Sequence, residues 1–203
     1  MRIAALAALV FVPMLVEARR AGRNERAQRS RGGVEPAGDV FAIMQMAYPG
    51  AFALMLAEGW WRGAPRSEWM AVGLVAFIAA KLLKWWAILT LGPSWTFRVI
   101  VVPGAALVAR GPYRFVRHPN YVGVALELAG AGLMTGAAVS GPLAVVLFSI
   151  LMRKRIGVED RALGRAAAPA LRPIIEASGN GGQQRSRPGS RADEGELSGR
   201  APG

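Results

Sequence analysis

The chain has 203 residues, 53% hydrophobic and 19% charged, with a formal net charge of +12, no cysteine and one histidine. That length suits one domain, and the residue counts argue against a disulfide framework, a thiol nucleophile, a thiolate site or a zinc centre, so no metal is expected. The positive charge lies between and beyond long apolar runs, which argues against nucleic acid as a partner and for an integral membrane protein whose arginines meet anionic headgroups.

In chain order, Ile3 to Ala18 is apolar until Glu17. At about 1.5 Å per residue it is short for a hydrocarbon core of about 30 Å. A signal peptide is the alternative, since Val16-Glu17-Ala18 loosely resembles a cleavage site, but the flanking charges disfavour it. Only Arg2 precedes the run, whereas Arg19, Arg20, Arg23, Arg26, Arg29 and Arg31 follow it, so the amino terminus is expected outside and the next loop in the cytosol. A second span is expected over residues 40–59, kinked at Pro49-Gly50, and a third over 69–91 with Lys81, Lys84, Trp85 and Trp86 toward its inner end. A polar connection runs from Gly92 to Asn120.

Tyr121 to Met152 is nearly uncharged, and Gly136, Gly141 and Pro142 near its middle suggest a helical hairpin with spans over 121–135 and 138–152. Arg114, Arg117 and His118 flank one end and Arg153, Lys154 and Arg155 the other, so both ends face the cytosol. The fold class is therefore an all-α integral membrane protein of about five transmembrane helices, the last two a hairpin, with a pocket at the cytosolic face. Residues 1–176 form the membrane domain, and 177–203, rich in Gly, Ser, Arg and Gln, read as a disordered cytosolic tail.

The segment GPYRFVRHPNYVGV, residues 111–124, crowds cations, two tyrosines and the lone histidine against the apolar hairpin. Pro112 and Pro119 break any helix through it, and irregular backbone at membrane depth needs cover from protein or a wet cavity. Interfacial anchoring by Arg and Tyr is the plainer account of each residue taken singly. Glu127, within the fourth span, is costly in hydrocarbon unless it faces a cavity; it reads as a base or as the partner of Lys81 or Lys84. The lysines themselves suit snorkelling to the inner headgroups. Gly130, Gly132 and Gly136 lack the strand and helix of a dinucleotide fingerprint and suit close packing of spans instead.

Taken together, GPYRFVRHPNYVGV, the hairpin and RIGVEDRAL, with KWWAILTLGPSWTFRVIVVPGAALVARGPYR upstream, resemble the isoprenylcysteine carboxyl methyltransferase family. The closer resemblance is to its bacterial branch acting on alkylpyrones and alkylresorcinols, and it covers about residues 81 to 163. It implies a transferase that uses S-adenosylmethionine to methylate a lipophilic acceptor arriving from the bilayer, in the inner membrane with the carboxy terminus cytosolic. By motif, Leu107, Val108, Tyr113, His118, Pro119, Tyr121 and Glu159 would bind the cofactor. Arg155 would face the acceptor, and Glu127 is added as a catalytic candidate. Glu159-Asp160 replaces the family's paired glutamates, and GRAAAPALRPIIEAS lacks the usual aromatics, leaving Leu171, Ile174 and Ile175 to cover the site. The rival readings are an NADPH-dependent membrane reductase, whose 2′-phosphate would want Arg153, Lys154 and Arg165, and a non-catalytic membrane interaction protein.

Overall fold

The computed structural model describes the backbone of residues 2–63, 65–106 and 108–180, with side chains described for residues 3–164 of these. Among the described residues five α-helices follow one another: α1 (Arg2–Ser30), α2 (Phe41–Arg62), α3 (Ser67–Leu91), α4 (Pro119–Thr135) and α5 (Ser140–Asn180). Short 3₁₀ turns occupy Gly92–Ser94 and Gly111–Arg114. Among the described residues there is no sheet; a single isolated bridge pairs Val34 with Val101. Contacts divide the chain into a compact unit Met1–Ala167 and a second unit Ala168–Gly203.

The first helix departs from expectation. Instead of ending near Ala18, α1 runs on through the arginine-rich segment to Ser30. Its inward face explains why. Val10, Glu17, Ala21 and Gln28 are all buried, and Asn24 lies on the same stripe, so positions three, four and seven apart keep facing the protein after the apolar run stops. Asn24 donates to the carbonyls of Gly92 and Trp95 at 3.0 and 2.7 Å, and Gln28 donates to that of Pro93 at 3.1 Å. The helix thus changes its partner from apolar side chains to the carbonyls of the turn after α3, while Arg19, Arg23, Arg26 and Arg29 occupy exposed faces.

The second helix is continuous through Pro49. At its far end Glu58 accepts from the backbone amides of Val139 and Ser140 at 3.0 and 2.7 Å and from the Ser140 hydroxyl at 2.6 Å. A carboxylate from α2 therefore satisfies orphan donors at the start of α5 and suits its dipole. The hairpin expected from Gly136 is present: Gly136 adopts φ +74° as the left-handed cap of α4, and α5 begins four residues later.

Close packing joins α3 to α4, and it rests on small residues. A Cβ on Gly73 would lie 2.3 Å from the Met134 amide nitrogen, and one on Gly130 would lie 2.7 Å from that of Phe77. In lipid, where apolar surface gains little by leaving its solvent, such backbone approach supplies the dispersion contacts that hold helices together. Gly132 faces the other way, against Gly141 of α5. Around these contacts the core draws Val10, Phe52, Met55, Phe77, Leu128, Met134, Phe148 and Met152 from all five helices. A second, smaller core of Ala21, Ile88 and Trp95 supports the loop after α3.

Large apolar side chains also point outward on every helix, among them Leu15, Trp61, Val75, Leu126 and Val146, while charges such as Glu17, Lys84 and Glu127 are buried. That inversion of the water-solvated arrangement suits a lipid surround. Among the described residues two helical stretches, Phe41–Arg62 and Ser67–Ser94, are long and apolar enough to cross a bilayer.

Candidate functional site

The polar loop between α3 and α4 ends in the turn Gly111–Arg114, where Pro112 is buried and seeds the 3₁₀ geometry. His118 then takes the N-cap position of α4, with Pro119 following in the first turn, where its missing amide costs nothing. This places Tyr121 on the first turn of α4, facing the continuation of α5. Arg155 and Glu159, one turn apart on α5, meet it there. The Tyr121 hydroxyl donates to Glu159 Oε2 at 2.8 Å and accepts from Arg155 Nε at 2.9 Å.

Arg155 has further partners. Its Nη2 donates to the Phe97 carbonyl, and its Nη1 stands 3.4 Å from Asp39 Oδ1. Asp39 Oδ2 in turn accepts from the Val99 amide at 3.0 Å. His118 stacks at a tilt on Tyr121, ring centroids 5.5 Å apart, with its Nε2 3.4 Å from Asp160 Oδ1. That approach does not make a hydrogen bond, and Nε2 is left buried without a bonded partner, as is Asn120 Oδ1 two residues on. Arg117, largely exposed, also reaches Asp160 at 3.4 Å. Tyr113 is half-buried; burial, reinforced by the negative charge of Glu159, pushes its phenol above the ordinary range.

Of the residues singled out from sequence, Tyr113, His118, Pro119, Tyr121, Arg155 and Glu159 are thus brought to one end of the bundle. Val108 lies partly buried in the loop leading there, and Leu107 falls outside the described residues. Trp95 packs edge-on to Phe97 at 5.3 Å, within the core that supports the loop. Asp39 was not legible in sequence, because no local pattern links a Gly-Asp pair in an interhelical linker to an arginine on the last helix.

Glu127 belongs to a different cluster. Its Oε2 lies 3.1 Å from Lys81 Nζ and 3.2 Å from Lys84 Nζ, and it accepts from the Tyr48 hydroxyl. Glu17 from α1 closes the ring, at 3.2 Å from Lys81 and 2.7 Å from Lys84. Of the two sequence readings of Glu127, base or ion-pair partner, the structure therefore displays the second. The lysines likewise turn inward to two carboxylates instead of reaching for headgroups.

A linker strap crosses the loop that carries Phe97 and Val99. Val34 and Val101 exchange backbone hydrogen bonds of 2.9 and 3.0 Å, and Glu35 bonds Arg98 at 2.7 Å and Arg29 at 2.6 Å. Burial pushes the Glu35 carboxyl up, but the bonds and charges of Arg98 and Arg29 outweigh this and hold it below the ordinary value. The Arg98 guanidinium, held by the same Glu35 bond, is raised in turn, and it stacks over Phe41 at 4.4 Å.

An all-helical protein with bilayer-length helices, gathering two basic flanks of a hairpin around tyrosines, a histidine and carboxylates, defines the class. The comparisons with known proteins say which. Residues 71–165 match the isoprenylcysteine carboxyl methyltransferase (ICMT) family. The protein YpbQ of Bacillus subtilis, itself uncharacterized, is 30% identical over 159 residues, covering 78% of this chain and 94% of the relative. A probable protein-S-isoprenylcysteine O-methyltransferase of Oryza sativa is 32% identical over 95 residues, covering 44% of this chain and 48% of the relative. An uncharacterized protein of Haemophilus influenzae is 21% identical over 142 residues, covering 70% of this chain and 83% of the relative. No solved structure matches the chain. The chain belongs to the isoprenylcysteine carboxyl methyltransferase family. Membership implies a membrane-associated methyltransferase.

Proposed function

We propose that this protein is an S-adenosylmethionine-dependent O-methyltransferase of the bacterial inner membrane. Its acceptor is a lipophilic molecule drawn from the bilayer, a phenol or enol of the alkylpyrone or alkylresorcinol kind or an isoprenylcysteine-type carboxylate. Five spans with a cytosolic carboxy terminus complete the reading. The observation that carries it is the junction of Tyr121 with Arg155 and Glu159, which ties the RHPNY flank of the hairpin to the RIGVE flank.

The residues fit the cofactor by chemistry. A buried histidine nitrogen and a buried asparagine oxygen without partners, at residues 118 and 120, are groups that a polar ligand would satisfy. Glu159 offers a carboxylate for an ammonium or for ribose hydroxyls, and Tyr113 and Tyr121 offer aromatic faces for a cation. When bound, S-adenosylmethionine supplies a methyl group on a sulfonium, ready for displacement by an oxygen nucleophile. The protein's part is positioning: no covalent intermediate is needed, and the rate depends on holding the acceptor oxygen in line at near-attack distance. Arg155, fixed by its partners, steers the acidic oxygen of the acceptor.

Calorimetry of purified protein in detergent tests the reading. Wild type binds S-adenosylmethionine, and His118→Ala and Glu159→Ala bind far more weakly. Normal binding by both variants would overturn the site. Transfer of labelled methyl into a total lipid extract, followed by mass analysis of the product, identifies the acceptor, and preferential binding of NADPH would instead favour a reductase.

A further inference from the structure

We infer that Asp39, on the linker between α1 and α2, is the positioning residue for Arg155, so that the amino-terminal part of the chain completes a site whose recognisable motifs all lie after residue 80. This deepens the proposed function and rests on it for the role of Arg155. The observations are geometric. The side chains of Asp39 and Arg155 are only 4% and 6% exposed, and they meet at 3.4 Å. Arg155 spends Nε on the Tyr121 hydroxyl and Nη2 on the Phe97 carbonyl, and the remaining nitrogen of the same rigid plane, Nη1, is the one that faces Asp39. Asp39 is itself held from behind, since Oδ2 accepts from the Val99 amide, and Oδ1 has no hydrogen-bond donor of its own. Its charge is therefore compensated by the guanidinium, and the guanidinium's by it. An arginine in so little water, without a carboxylate beside it, would turn toward Glu159 one helical turn away and leave the tyrosine. Asp39 prevents that rotation by fixing the far edge of the planar fork.

The linker is built to deliver this carboxylate. The Val34–Val101 bridge and the Glu35–Arg98 pair fasten it across the loop just before Asp39, so loop and linker move as one wall. Asp39 also lies outside residues 71–165, the part that matches the family. The orientation of the guanidinium is thus set by a residue that the family's shared segment does not contain.

The test uses the full chain in detergent with Asp39→Asn, Asp39→Ala and Asp39→Glu. Asparagine keeps an acceptor for the Val99 amide and removes only the charge, so the fold survives. Two measurements are made. Methyl transfer from S-adenosylmethionine into a total lipid extract is expected to lose about 10- to 100-fold in kcat for Asp39→Asn and Asp39→Ala, as when an outer-shell partner is removed. KM for S-adenosylmethionine stays within about threefold, and Asp39→Glu recovers part of the rate. Peptide-resolved modification by phenylglyoxal is expected to show Arg155 protected in wild type and exposed to reagent in Asp39→Asn, with the largely exposed Arg117 modified alike in both. Wild-type kcat together with undiminished protection of Arg155 in Asp39→Asn would overturn the inference. Equal losses in folded fraction, kcat and KM, without recovery by glutamate, would reduce Asp39 to a structural residue and overturn it as well. If wild type fails to bind S-adenosylmethionine, the proposed function falls, while the phenylglyoxal measurement still decides whether Asp39 holds Arg155.

Discussion

Tyr121 and Glu159, 38 residues apart in sequence, share a 2.8 Å hydrogen bond that closes the last hairpin at its polar end. The same hydroxyl receives Arg155. Removing it in Tyr121→Phe keeps the ring against His118 and deletes both bonds. A hydrogen bond to a charged group contributes about 1.5 to 3 kcal/mol. Affinity for S-adenosylmethionine, measured calorimetrically in detergent, is therefore expected to fall about tenfold or more, with secondary structure unchanged. Unchanged affinity would separate this junction from the cofactor.

Gly73 and Gly50 make an opposed pair. Alanine at Gly73 would drive its Cβ to 2.3 Å from the Met134 amide nitrogen, while alanine at Gly50 meets nothing within 4 Å. Forcing α3 from α4 is expected to cost about 1 to 3 kcal/mol. At Gly50 the higher helix propensity of alanine is expected to stabilise the protein by up to about 1 kcal/mol. Thermal unfolding in detergent should move in opposite directions for the two variants.

The buried ring of Glu17, Lys81, Lys84 and Glu127 predicts non-additivity. Lys84→Met leaves two buried carboxylates sharing one ammonium, and breaking a buried pair typically costs about 3 to 5 kcal/mol. Adding Glu127→Gln to Lys84→Met removes the surplus charge and is expected to recover part of the loss. A double variant as unstable as the sum of the singles would mean that the ring is not one unit.

Acid should loosen the linker strap. Glu35 is held below the ordinary carboxyl value by Arg98 and Arg29, despite a burial effect in the other direction. Above that ordinary value the carboxylate is charged whether the protein is folded or not, and its contribution is fully present. As pH falls through the depressed folded value, the proton goes on and the contribution is lost. The difference in thermal midpoint between wild type and Glu35→Gln is expected to be constant near neutrality and to shrink below about pH 4.5, by a modest amount because both arginines are partly exposed. A difference that grew on acidification would contradict the assignment.

Much of the bundle was legible along the chain, because lipid removes the option of exposed backbone and leaves apolar runs little choice but helix. The hairpin turn was legible through Gly136, and the alignment of Arg155 with Glu159 followed from their four-residue spacing on one helix. The extension of α1 to Ser30 was not. Charge patterning marks where a helix leaves the hydrocarbon, and it is silent on whether the helix stops there; Asn24 and Gln28 continue it because carbonyls of a distant turn are waiting.

Composition, apolar run length and the RHPNY and RIGVE motifs by themselves determined an all-helical chain, the order of its helices and the residues grouped at its polar end, since each depends on neighbours in sequence. Only tertiary structure decided that Glu127 shares two lysines with Glu17, and that Asp39 stands against Arg155. Those pairings join residues tens of positions apart, whose meeting depends on which helix faces which, and that is chosen by close approach at Gly73 and Gly130 and by the need of every buried charge for its opposite.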